Sequence, residues 1–197
     1  MLLATLQRLG YLSADAEGAG VRPTLRVMLL GHWLHDRIFG EGTLLSAVDS
    51  LRRHTGETVL IGMRQGLGVR SILALRGTRP GAIRIRPGML YPVTLTAMGK
   101  MLLTLETDFE VARIAAAANT TAMPNWSYID PNVLVQDVHG CKAKGWSECD
   151  DWPVSGRGAI AMLLPRVIGH PPMALAMRAD MSELLRRRND LAPILVT

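Results

Sequence analysis

The sequence predicts an α+β fold in which helices pack against one antiparallel β-sheet. Its 197 residues are enough for one domain and a short additional element. Hydrophobic residues make up 48% of the chain and charged residues 20%, which is typical of a globular protein and not of a disordered one. Hydrophobic periodicity places a helix, five or six strands, helices and further strands along the chain, an order that favours α+β packing.

Short helices and strands alternate in the first part of the chain. Leu2, Leu6 and Leu9 fall on one helical stripe, and Gly10 is a natural residue to end that helix. The segment 15–20 has the composition of a turn between two strands. We therefore predict a helix at 1–10, strands at 11–14 and 21–26, a connecting helix at 27–36 and another helix at about 43–55.

The remaining elements are two blocks of strands separated by helices. Asp130 is a good N-cap, Pro131 suits the first helical position, and Gly145 ends the helix that they begin. The predicted strands of the first block are 58–63, 69–76 and, more weakly, 83–86, and the predicted helices are 94–105, 109–118 and 131–144. Strands at 146–149, 159–164 and 173–178 and a last helix from Ser182 complete the prediction.

Composition excludes several classes of protein. No run of about 18 uninterrupted apolar residues is present to span a bilayer, and Gly10 ends the first apolar segment before a signal peptide could form. Cys141 and Cys149 fit neither a disulfide framework nor a common zinc motif. We expect a cytoplasmic protein with reduced thiols, no metal, no cofactor and no membrane contact.

Positive charge is concentrated in one part of the chain. The net charge is +5, and eight arginines lie between Arg52 and Arg86 against the single acid Glu57. Strand alternation favours arginines on the solvent faces of strands. The charge is compatible with nucleic acid or anionic ligands and proves neither.

Several segments carry, in order, a resemblance to a known family. They are Thr55–Val59, Tyr91–Leu103, Lys144–Trp146, Asp150–Asp151 and Gly156–Ala161. In this order they resemble the effector-binding domain of the IclR family of bacterial transcription regulators. The opening segment 2–12 and the hairpin after it resemble the end of a winged helix-turn-helix.

The resemblance implies a repressor or activator that binds promoter DNA, forms a homodimer or homotetramer, and responds to a small organic acid. It divides the chain into a partial winged helix-turn-helix at 1–26, a linker helix at 27–40 and a GAF-like effector-binding domain at 41–197. The candidates for DNA contact are Thr5, Gln7 and Arg8, on the last part of a recognition helix. The chain departs from the family pattern here, because it starts inside the third helix of that motif and its wing turn carries acids but no cation.

The first candidate ligand site is the start of the helix after Pro92. The first turn of a helix has backbone N–H groups without intrahelical partners and a partial positive charge, so it can hold a carboxylate. Thr94 or Thr96 can cap the helix, and the N–H groups near Ala97 and Met98 can face the ligand. The alternative is an ordinary capped helix packed on the sheet. The resemblance favours the ligand site, since this segment lines the effector pocket in relatives.

The second candidate site is the loop at Cys149, Asp150 and Trp152, with Ala159 on the facing strand. A carboxylate next to an anionic ligand is repulsive unless it accepts a hydrogen bond or is protonated, so Asp150 suits a ligand hydroxyl or an N–H group. Trp152 could stack on an aromatic effector. A polar turn between strands with a half-buried Trp is the alternative interpretation.

We hypothesise a DNA-binding transcription regulator that senses a small organic carboxylate with an apolar or aromatic body. The alternative is a stand-alone GAF-like module that binds a metabolite without touching DNA. An enzyme is the least supported class, since the sequence contains no recognisable catalytic motif and no Gly-rich phosphate loop before a helix.

Overall fold

Two compact units make up the chain, residues 1–48 and 49–197. The structure is a computed structural model that describes residues 2–15, 20–39, 43–121, 127–150, 155–166, 169–184 and 186. The first unit holds α1 (Leu2–Arg8), β1 (Leu12–Ala14), β2 (Val21–Pro23) and α2 (Leu25–Phe39). A further helix, α3 (Thr43–Thr55), begins in the first unit and ends in the second.

The first unit is a helix followed by a two-stranded antiparallel hairpin and a second helix. Gly10 ends α1 with a left-handed φ of 73°, as its position predicts. The predicted strand at 21–26 is too long. Its last residues belong to the start of α2, because the Thr24 hydroxyl accepts the backbone N–H of Arg26 at 3.2 Å. The Arg26 guanidinium donates to the Leu9 carbonyl at 2.6 Å, so this cation ties α2 to the end of α1.

The second unit is built on one six-stranded antiparallel sheet with the order β5-β4-β3-β8-β7-β6. The α+β fold is therefore confirmed. The elements are β3 (Thr58–Gln65), β4 (Gly68–Leu75), β5 (Leu90–Pro92), α4 (Ala97–Leu103), α5 (Asp108–Thr120), α6 (Pro131–Lys144), β6 (Ser147–Cys149), β7 (Arg157–Leu163) and β8 (Met173–Asp180).

One face of the sheet is shaped to receive α4. Small side chains occupy this face at the centre of the sheet, where Ala176 of β8 pairs with Leu60 of β3 and Ala161 of β7. Every residue of α4 except Lys100 is buried, and α4 contacts strands β3, β4, β6, β7 and β8. Helix α6 packs on α4, and α5 packs on α6.

A glycine sets how closely α4 approaches the loop before it. A Cβ atom at Gly99 would lie only 1.9 Å from the carbonyl oxygen of Val93. The loop is held in turn by the Val93 N–H, which donates to the Leu67 carbonyl at 3.0 Å. The start of α4 is thus fixed against the edge of the sheet by backbone contact.

Two local predictions around the sheet edge are wrong. Residues 83–86 are not a strand. The Thr58 hydroxyl donates to the Ile83 carbonyl at 2.7 Å, and the Arg76 guanidinium donates to the Ala82 carbonyl at 3.2 Å, so side chains take the place of strand pairing. The edge strand is β5 instead, which pairs with β4.

The predicted helix at 94–105 begins later than expected. It starts at Ala97, because Thr96 has an extended backbone and acts as the N-cap. The last predicted helix is described only in part: residues 181–184 are helical, and Pro193 lies outside the described residues.

Candidate functional site

The start of α4 is locked by three hydrogen bonds. The Thr96 hydroxyl accepts the N–H of Gly99 at 3.1 Å and donates to the Pro92 carbonyl at 2.9 Å. The Ser147 hydroxyl of β6 donates to the Ala97 carbonyl at 2.6 Å. Thr96 is therefore the capping residue of the two that the sequence offers, and the first turn of α4 is held to both the preceding loop and β6.

A small closed cavity lies between this helix start and the sheet. It offers about 20 Å³ to the centre of a water molecule, which is room for one or two waters. Its lining is mostly apolar. Five of the seven residues predicted to contact an effector lie around it: Thr96, Ala97, Met98, Cys149 and Ala159.

The other two predicted residues are placed differently. Asp150 is exposed and lines a second, polar cavity of about 350 Å³, together with Lys100, Asp137 and Lys144. Cys149 lines both cavities. Trp152 lies outside the described residues. The structure thus brings the helix-start residues together with Cys149 and Ala159, but Asp150 faces another space.

Four residues of the cavity wall were not predicted: Leu60, Tyr91, Ala176 and Arg178. Arg178 is the most unusual of them, since only 7% of its surface is exposed. It stands in a row of paired residues that crosses four strands, between Thr58 on one side and Ala159, then Cys149, on the other. A signal was present in the sequence: Arg178 is in phase with Ala174 and Ala176 on an apolar strand, and so is expected on their face.

Burial controls the ionisation of the groups around the cavity. It lowers the pKa of the Arg178 guanidinium, although nearby Cys149 and Tyr91 oppose this shift. Burial also raises the pKa of Tyr91, against the opposing charge and hydrogen bond of Arg178. It raises the pKa of the Cys149 thiol too, against a hydrogen bond from the backbone of Ala97. Near neutral pH the wall therefore presents one cation, one phenol and one thiol.

The N–H group of Ala97 thus faces a sulfur atom. The sequence offers this group, with that of Met98, to a ligand carboxylate. In the structure the Cys149 sulfur occupies the position in front of Ala97, and the Thr96 hydroxyl occupies that in front of Gly99. Much of the hydrogen-bonding capacity of the first turn is used within the protein.

Comparison with known proteins places this domain in a family. The family model described as "Bacterial transcriptional regulator IclR C-terminal" matches residues 43–196, most of the chain. The chain belongs to the IclR family. Among curated proteins it is similar to the HTH-type transcriptional regulator XynR of Escherichia coli strain K12, with 24% identity over 195 residues that cover 96% of this chain and 77% of XynR.

Solved IclR-family structures share the fold. A regulator from a Silicibacter species matches with a TM-score of 0.82 at 18% identity, covering 98% of this chain and 77% of its own. A regulator from Alicyclobacillus acidocaldarius matches with a TM-score of 0.78 at 20% identity over 98% and 78% of the two chains. The effector domain of an IclR regulator from an Acinetobacter species covers 82% of this chain and 94% of its own, with a TM-score of 0.74 and 18% identity.

The IclR-family residues predicted to touch DNA lie on α1. Gln7 and Arg8 are exposed, and Thr5 is half-buried. Arg8 is the single cation in the segment 2–15. Across the described part of the chain, no helix is both long and apolar enough to cross a membrane. The cavity wall of this IclR-family domain is suited to holding a small anionic group rather than to breaking bonds.

Proposed function

We propose that the chain is the sensory part of a DNA-binding IclR-family regulator, and that its effector is a small organic acid held in the cavity under α4. The observation that carries the proposal is an apolar cavity with a buried cation in its wall, at the helix start that the sequence singles out. Ligand pockets commonly combine apolar lining with a few polar groups that fix orientation. An anion is the ligand that a buried guanidinium stabilises best.

The test is a thermal-shift screen of small acids beside their neutral amides. Ligand that binds only the folded state raises its stability by about 2.7 kcal/mol at a hundredfold excess over Kd. For a chain of this size the melting temperature then rises by roughly 5–10 °C, from about 2–4 °C per kcal/mol. Stabilisation by acids and not by amides supports the proposal. A response confined to neutral or cationic compounds contradicts it.

A matched pair of variants places the ligand in the cavity. Ala159→Val adds two methyl groups to the cavity wall, while Ala161→Val makes the same change two residues further along the same face of β7, away from the cavity. Both residues are buried, and both variants are expected to lower the stability of the unliganded protein through overpacking. Only Ala159→Val should also remove the response to acids. Equal responses in both variants would place the ligand elsewhere.

The stand-alone binding module remains the alternative function, and the low positive charge of α1 and its hairpin favours it. Phosphate contacts by Lys and Arg supply most of the affinity of proteins for DNA, and the segment 2–15 holds only Arg8. Mobility shifts with promoter DNA at physiological salt decide between the two. A sequence-specific complex supports the regulator, and binding no stronger than to unrelated DNA supports the module.

Self-association is the remaining part of the proposal. Helix α2 carries an exposed apolar stripe at helical spacing, in which Leu25 is 81% exposed, Met28 69% and Leu29 65%. Apolar patches of this kind usually contact a partner. We assign the stripe to a second copy of the chain, in a homodimer or homotetramer.

A further inference from the structure

We infer that the Arg178 guanidinium, together with the Tyr91 hydroxyl, is the group that binds the effector's carboxylate, and that the effector is a short aliphatic acid. This inference rests on the proposed function and names its anchoring residue and ligand class. It moves the anionic end of the ligand from the first turn of α4 to the central strand of the sheet.

The placement of Arg178 is the first argument. β8 lies between β3 and β7 at the centre of the sheet, and all but the last of its residues are buried. A guanidinium keeps its charge in proteins, so burying it has a large free-energy cost that an anion can offset. The cavity-side neighbours that act on it are Tyr91 and Cys149, which burial holds in their neutral forms. A ligand carboxylate would bring the negative charge that these two groups do not carry.

The shape of the groups around Arg178 is the second argument. A guanidinium presents a planar fork of N–H donors that matches the two oxygens of a carboxylate. Tyr91, which hydrogen-bonds Arg178, adds a hydroxyl donor on the same side of the cavity. Ala159 and Ala176 provide methyl groups for the apolar part of a ligand. The first turn of α4 is a poorer anchor, because Cys149 and Thr96 already face its N–H groups.

The volume of the cavity determines the ligand class. About 20 Å³ is open to the centre of a water molecule, so the space is filled by one or two waters. The strand residues Ala159 and Ala176 are already small and have no side chain to move aside. Met98 is the flexible member of the wall, since methionine has three rotatable bonds, and its thioether rests over Gly62. Rotation of one methionine admits a few heavy atoms but not a benzene ring.

The test compares propionate, lactate and pyruvate with propionamide and benzoate on the full chain, by calorimetric titration and by thermal shift. The wild-type protein is expected to bind the three short acids and to bind propionamide and benzoate at least tenfold more weakly. Arg178→Met keeps a long side chain without the charge and should weaken the short acids by about 10- to 100-fold, the range for a hydrogen bond to a charged group. Tyr91→Phe should weaken them a few-fold, and Arg178→Lys should fall between wild type and Arg178→Met.

The matched control is Arg113→Met, which removes an exposed arginine that is ion-paired with Glu110 on α5. It should bind the acids as the wild type does. If Arg178→Met does not give a folded protein by circular dichroism, Arg178→Lys and Tyr91→Phe provide the same comparison.

The outcomes separate the inference from the proposed function. If the wild type binds short acids and Arg178→Met binds them equally well, the anchor is wrong while the proposed function stands. If benzoate binds as tightly as propionate, the ligand class is wrong. If no acid binds the wild type, the proposed function itself fails.

Discussion

Replacing Gly99 with alanine tests whether close backbone contact holds α4, and with it the cavity, in place. In an open helix the change from glycine to alanine stabilises by about 1 kcal/mol. Here the new Cβ atom would lie 1.9 Å from the Val93 carbonyl oxygen and 2.5 Å from its carbonyl carbon, in a loop whose residues are buried. Since both sides of the contact are backbone, no side-chain rotation relieves it.

The expected cost follows from that geometry. Overpacking of a buried site costs typically 1–3 kcal/mol, and a backbone clash belongs at or above about 3 kcal/mol. Subtracting the helix-propensity gain of about 1 kcal/mol leaves a net loss of about 2 kcal/mol or more. For a chain of this size the melting temperature should fall by about 4–8 °C.

Gly140 provides the matched control for this experiment. It lies inside α6, and a Cβ atom there would meet nothing within 4 Å. Gly140→Ala should therefore raise the melting temperature by about 2–4 °C, from a gain of about 1 kcal/mol. Thermal unfolding of both variants by circular dichroism gives the comparison. If Gly99→Ala melts at or above the wild-type temperature, the tight contact between α4 and its preceding loop does not exist in solution.

Two further predictions concern assembly and pH. Changing Leu25 and Leu29 together to glutamate places charge on the exposed stripe of α2 and should convert the oligomer to a monomer in light scattering; an unchanged mass would exclude this stripe as the interface. Burial raises the pKa of Cys149 in the folded state, so the folded protein holds a proton that the unfolded chain releases first, and stability should fall as pH rises above the ordinary thiol value of 9.0. Cys149→Ala should show a shallower fall in its urea midpoint over that range, and identical profiles would contradict the assignment.

Helix boundaries were the most predictable features of this fold. Asp130, Pro131 and Gly145 place α6 at the residues where the structure has it, and Gly56 ends α3 after Thr55. These signals act locally, because a cap or a left-handed glycine satisfies the few backbone groups next to it. They can therefore be recognised without knowledge of the rest of the chain.

The edge of the sheet was less predictable. The sequence at 83–86 alternates apolar and charged residues as a strand would, yet β5 forms at Leu90–Pro92, where β4 offers its free edge. A strand is stabilised by its neighbours, so its own composition does not decide where pairing occurs. Side chains of Thr58 and Arg76 bind the carbonyls of 82–83 instead, and they come from other parts of the chain.

The candidate site divides in the same way. By itself the sequence determined the strand that contains Arg178, the helix that begins after Thr96, and the presence of Cys149 and Ala159 near a turn, since each depends on neighbouring residues. Only the tertiary structure decided that these residues surround one cavity, that Asp150 faces another, and that Arg178 is buried among them. Burial of a charge is the sum of contacts made by β3, β7, β6 and α4, and such long-range contacts are not encoded in the spacing of residues along one strand.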